Sequence, residues 1–118
     1  MINSEGRRPE RIAELVLREL SMMLLRDLKD PRLRGVTITW VKVSDDLRHA
    51  RVFFSHLEGE RRAPAVVAGF ESAGGFIRRR IGQALGLRYT PELAYEFDPA
   101  PERAARIDAL LRQERSRN

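Results

Sequence analysis

Two adjacent glycines, Gly74 and Gly75, interrupt a run whose apolar residues otherwise keep helical spacing. Val66, Val67, Phe70 and Ala73 precede them, and Ile77, Ile81, Ala84 and Leu85 follow. Each glycine inside a helix costs about 0.8–1 kcal/mol relative to alanine, so the pattern predicts two helices meeting at a break rather than one long helix. Gly86 is placed to close the second helix in a left-handed cap. The same stretch is one-sided in charge: no acidic residue lies between Glu71 and Glu92, whereas Arg78, Arg79, Arg80 and Arg88 all do.

Around this break the remaining elements follow from period and punctuation. From Pro9 to Lys29, the residues Ile12, Leu15, Val16, Leu20, Met23, Leu24 and Leu28 recur at three- and four-residue steps, which predicts an amphipathic helix. Pro9 suits its first turn, Asp30-Pro31 ends it, and the Met22-Met23 pair reads as packing. Residues 35–44 are rich in β-branched side chains, with Val36, Ile38 and Trp40 on one parity and Val41 and Val43 on the other, so a bulge or a doubly buried strand is expected. SDDLR supplies a turn, and ARVFFSHL alternates again with Ala50, Val52 and Phe54 on one face, giving a β-hairpin. The polar run from Glu58 to Pro64 leads into the two short helices.

Residues 87–97 alternate as Leu87, Tyr89, Pro91, Leu93, Tyr95 and Phe97, which predicts a third strand with Pro91 at a free edge or bulge. Asp98 can cap a last helix with Pro99 and Pro101 in its first turn and Ala104, Ile107, Leu110 and Leu111 facing inward. The tail RQERSRN is polar and expected to fray. The result is an α+β fold of order α-β-β-α-kink-α-β plus a C-terminal helix, a three-stranded sheet packed on helices. A single domain is expected over residues 1–118, with a core over about 9–98 and a C-terminal helix and flexible tail over 99–118.

Composition narrows the function. With 118 residues, 42% hydrophobic and 33% charged, the chain is long enough for one real core. It has no cysteine, which excludes disulfides, thiolate metal sites and a cysteine nucleophile and fits a reducing cytoplasm. No apolar run is long enough to span a bilayer, so no membrane is expected. The formal charge is +5, from 22 Lys and Arg against 17 Asp and Glu, and favours a polyanionic partner. Lys29 and Lys42 are the only lysines, and biased genomic composition explains that as well as selection for arginine's phosphate-binding fork does.

At the break, an approaching phosphate would meet helix N-terminal amides and the positive end of a helix dipole, with Arg78 and Arg79 on the same turn and at least part of Arg80 turned to solvent. Taken alone, the glycines are better explained by a sharp turn and the arginines by a solvated face. The combination of break, charge and element order points instead to nucleic acid, because α-β-β-α-α-β is the order of the type II KH fold. Its usual Gly-x-x-Gly is missing, and Ala73, Gly74 and Gly75 stand in its place.

LKDPRL at 28–33, VTITWVKVSDDLRHARVFFS at 36–55, SAGGFIRRRIGQALGLR at 72–88 and PELAYEFD at 91–98 together resemble the ribosome-binding factor A family, and they cover most of the chain. Trp40 departs from the small residue common at its position. The resemblance implies a non-enzymatic, cytoplasmic, monomeric protein without cofactor, metal or small-molecule substrate. Its partners would be the immature 30S ribosomal subunit and its 16S rRNA near the helix formed by the RNA's 5′ end, and its role late maturation, 16S rRNA processing and growth in the cold. Carried onto this chain, the RNA-binding kink is Ala73, Gly74 and Gly75, and the neighbouring basic surface is Arg78, Arg79, Arg80 and Arg88. A protein-interaction module using the third strand or the last helix is the competing expectation. An enzyme finds little support: His49 and His56 lack a nearby nucleophile motif, Asp45-Asp46 reads as a turn, and the Gly82/Gly86 spacing lies beside too many polar residues for a membrane helix pair.

Overall fold

The computed structural model describes residues 4–117, with side chains described for 8–115. Residues 1–3 and Asn118, which the single-domain expectation includes, lie outside the described residues. Helix α1 (Ser4–Arg26) is followed by a 3₁₀ turn (Pro31–Leu33) and by strands β1 (Val36–Val43) and β2 (His49–His56). A second 3₁₀ turn (Glu60–Arg62) leads to α2 (Ala63–Ser72), α3 (Gly74–Leu85), β3 (Glu92–Phe97) and α4 (Ala100–Arg117). The α+β order matches the expectation, down to the break between α2 and α3.

The sheet order is β1-β2-β3, with β2 antiparallel to β1 and parallel to β3. The parity switch in β1 is a bulge: Ile38 pairs with Phe54 and Trp40 with Phe53, leaving Thr39 as the extra residue. Past the bulge Val41 and Val43 join Ile38 on the buried face, while Trp40 turns to the outer face and stacks on Phe53 at 4.9 Å. In the hairpin turn Asp46 accepts hydrogen bonds from the Ser44 hydroxyl at 2.6 Å and the Arg48 N–H at 3.0 Å. The Ser44 bond, and then the Arg48 amide, hold its carboxyl below the usual range, so Asp46 does a turn's work.

One face of the sheet carries the core. Ile38, Val41, Val52 and Phe54 meet Val16, Leu20 and Met23 of α1, Val66 and Phe70 of α2, and Ile77 and Ile81 of α3. Gly69 lets α2 touch the Pro31–Leu33 turn: a Cβ there would lie 3.0 Å from Leu33 Cδ2 and 3.3 Å from Arg32 Cβ. That turn is held by Asp30, which accepts the Arg32 N–H at 2.9 Å and its guanidinium at 2.7 Å.

Four expectations are corrected. Helix α1 starts at Ser4, so Pro9 lies inside it; polar, non-proline residues before Pro9 extend the helix at the cost of a missing donor. Its other end is Arg26 rather than Lys29: the Asp27 and Leu28 amides both donate to the Met23 carbonyl, and the five-residue step of the second bond takes the chain out of the helical ladder. The third strand begins at Glu92, not residue 87. Gly86 leaves α3 in a left-handed conformation, and Pro91 has no N–H for a ladder, so the first β3 bond runs from Glu92 N–H to the Arg48 carbonyl at 2.8 Å. Finally, α4 continues through the expected tail to Arg117, yet Ala104, Ile107, Leu110 and Leu111 face solvent instead of the core. The sheet's buried face, which such a stripe would have covered, is already filled by α1, α2 and α3.

Candidate nucleic-acid interface

The chain turns between α2 and α3 at a single residue, Ala73, with φ −89° and ψ 8°. Its N–H donates to the Gly69 carbonyl at 3.2 Å, and its own carbonyl accepts from Ile77 N–H at 3.0 Å. Among the described residues no side chain caps the first turn of α3.

Gly74 and Gly75 are not what makes this turn. Both lie in α3 with no positive φ, and a Cβ on either would meet nothing within 4 Å. Alanine would fit at both and would favour the helix by about 1 kcal/mol each. The fold therefore gives no reason for two glycines, and what they leave is a bare backbone, open to solvent, at the positive end of a helix.

The arginines divide. Arg78 and Arg79 are exposed beside the break, and neither forms an ion pair among the described residues. Arg80 is turned inward: its guanidinium donates to Asp27 Oδ2 at 3.2 Å and lies 5.4 Å from the Phe76 ring centroid. Arg88 is exposed beyond the Gly86 cap, with its guanidinium carbon 5.5 Å from the Tyr89 ring centroid. A 12-residue helix separates the break from that cap, a span of about 18 Å. The structure thus gathers Ala73, Gly74, Gly75, Arg78 and Arg79, holds Arg80 against α1, and sets Arg88 at the far end of α3.

Beside the break, a groove of about 470 Å³ runs between α3 and β3, lined by Glu71, Gly74, Ile77, Arg78, Glu92 and Tyr95 among others. Tyr95 stacks flat on Phe70, with centroids 4.3 Å apart. Burial pushes its phenol well above the ordinary value of 10.0, with the Arg78 charge acting the other way. Glu71 and Glu92, the acids that bound the acid-free stretch, both fold onto this groove. Sequence reading missed this, because only the pairing of β3 with β2 brings residue 92 back to residue 71. The positive charge of this region is therefore concentrated on the rim formed by the α3 N-terminus with Arg78 and Arg79, while the groove carries two carboxylates.

The other polar candidates have local partners. His49 Nδ1 lies 4.0 Å from Glu92 Oε2, and His56 Nδ1 accepts the Glu58 N–H at 2.9 Å. Among the described residues no three His, Cys, Asp or Glu side chains are grouped to hold a metal ion, and no helix is long and apolar enough to cross a membrane.

Comparison with known proteins gives one consistent answer. The family model described as ribosome-binding factor A matches residues 8–111. A protein of that name from Syntrophus aciditrophicus is 43% identical over 110 residues, covering 93% of this chain and 89% of the relative. One from Acetivibrio thermocellus is 44% identical over 112 residues, covering 94% and 91%. Among solved structures, the crystal structure of ribosome-binding factor A from Thermus thermophilus superposes with a TM-score of 0.66 at 19% identity, over 75% of this chain and 93% of that one. A homology model of Thermus thermophilus ribosome-binding factor A, fitted into the cryo-EM map of its 30S complex, gives 0.59 at 22% identity, over 74% and 91%.

Proposed function

The chain belongs to the ribosome-binding factor A family, and from that premise we propose that it is a non-enzymatic, cytoplasmic ribosome assembly factor that binds the immature 30S subunit as a single-domain monomer. Its docking element is the α2–α3 break. RNA backbone approaches the uncapped amides at Gly74 and Gly75, and Arg78 and Arg79 supply charge from the same end of α3. The target is 16S rRNA near its 5′-end helix, and the outcome is late 30S maturation and rRNA processing, including in the cold. The observation that carries this reading is the pair of glycines for which the fold has no use, set beside two arginines that have no ion-pair partner among the described residues.

Cosedimentation of the purified protein with free small subunits and with complete ribosomes tests it. Binding to free 30S that weakens steeply with salt supports the reading; equal binding to both particles, or indifference to salt, would sink it. The exposed apolar residues of α4, Ile107, Leu110 and Leu111, support a second reading in which a protein is the main ligand. Contact of that kind would survive high salt.

A further inference from the structure

The groove beside the break does not end at β3. A second cavity of about 390 Å³, lined by Arg48, Tyr89 and Thr90, adjoins it, and Thr90 is a wall of both. Two features fix this wall. The Arg48 carbonyl accepts the Glu92 N–H at 2.8 Å, which ties the hairpin turn to the entry of β3. Thr90 presses on α3 at Gly82, where an added Cβ would lie 2.8 Å from its hydroxyl oxygen. Tyr89 is 69% exposed, an unusual place for an aromatic ring, with the Arg88 guanidinium over its face. Arg48 and Arg88 are both exposed, and neither has an ion-pair partner among the described residues. The nearest turn acid, Asp46, is occupied by Ser44 and the Arg48 amide.

We propose that this cavity is a base-stacking subsite for single-stranded RNA: a strand leaving the groove past Thr90 lays one base on Tyr89 and its phosphate between Arg48 and Arg88. The proposal rests on the RNA reading of the break and extends its track along α3. An aromatic face with flanking guanidinium groups suits stacking on any base together with phosphate neutralisation, and it discriminates poorly between sequences.

The test measures fluorescence anisotropy of a labelled, mixed-sequence RNA of about twelve nucleotides against the full chain and its variants. Tyr89→Ala should weaken binding about tenfold, and Tyr89→Phe should restore it, since the ring and not the hydroxyl stacks. Arg48→Ala should lower the slope of log affinity against log salt by about 0.7. If Tyr89→Ala and Arg48→Ala bind like the parent while Arg78→Ala/Arg79→Ala is weak, this subsite is wrong and the break stands. If Tyr89→Ala is weak and Arg78→Ala/Arg79→Ala is not, the subsite stands and the break falls. Two further outcomes overturn the subsite: Tyr89→Phe failing as badly as Tyr89→Ala, and Tyr89→Ala losing 30S binding while the oligonucleotide still binds, which would mark a ribosomal protein as the occupant.

Discussion

Arg78, Arg79 and Arg80 are consecutive in sequence, yet the structure predicts that they act differently on RNA binding. Changing Arg78 and Arg79 together to alanine removes two exposed guanidinium groups that form no ion pair among the described residues. Each lost phosphate contact lowers the slope of log affinity against log salt by about 0.7–0.9, or about 1.6 for the pair. Across a fourfold rise in salt the parent should then lose about tenfold more affinity than the double variant does. Arg80→Ala should leave that slope unchanged, because its guanidinium already lies 3.2 Å from Asp27 Oδ2. That ion pair is partly exposed, 39% at the arginine and 29% at the aspartate, so its loss should cost at most about 1 kcal/mol of stability. The assay is 30S binding at several salt concentrations, with thermal melting on the same samples. A slope for Arg80→Ala as reduced as that of the double variant would refute the assignment of roles, and so would a double variant with the parent's slope.

Glycine substitutions should separate folding from binding. Gly75→Ala meets no atom within 4 Å, so it should raise stability by about 0.5–1 kcal/mol in urea denaturation while weakening 30S binding. Gly69→Ala would place its Cβ 3.0–3.3 Å from Leu33 and Arg32 and should destabilise by about 1–3 kcal/mol, a result that unchanged urea midpoints would contradict. Because burial raises the Tyr95 phenol above its ordinary 10.0, the unfolded chain loses that proton first. The stability it contributes is whole below about pH 10 and declines as pH climbs toward the raised value. Tyr95→Phe should flatten that decline above about pH 10, and an identical slope in both proteins would remove Tyr95 as its source. Truncation after Asp98 deletes a helix whose apolar residues are exposed; the melting temperature should stay within about 2 °C of the parent, and a larger drop would mean that α4 is packed in solution.

Most of the secondary structure was legible because its causes are local. Helical spacing marked α1, α2 and α3, the positive φ at Gly86 closes α3 where a glycine was expected, and the change of parity after Trp40 pointed to a bulge or a doubly buried strand, of which the structure shows the bulge, between Ile38 and Trp40. The break could be read as well, since two glycines in a helical pattern carry an energetic cost wherever they occur. Signals of this kind fail where the determining partner is distant. The spacing of α4 predicts a buried stripe, but amphipathicity says only that a helix could be covered, never that a covering surface exists.

The sequence by itself determined the elements, their order and a cationic break, because backbone propensity and side-chain period act over a few residues. Tertiary structure alone decided which cations remain free. It set Asp27 against Arg80 across 53 residues, laid Glu71 and Glu92 along the groove, and joined that groove at Thr90 to the cavity of Arg48 and Tyr89. It also showed that Gly69 and Gly82 keep neighbouring chain close whereas Gly74 and Gly75 face open space. The physical reason is common to all of these: electrostatic pairing and steric contact depend on distance in space, and the parallel pairing of β3 with β2 creates distances that no local pattern encodes.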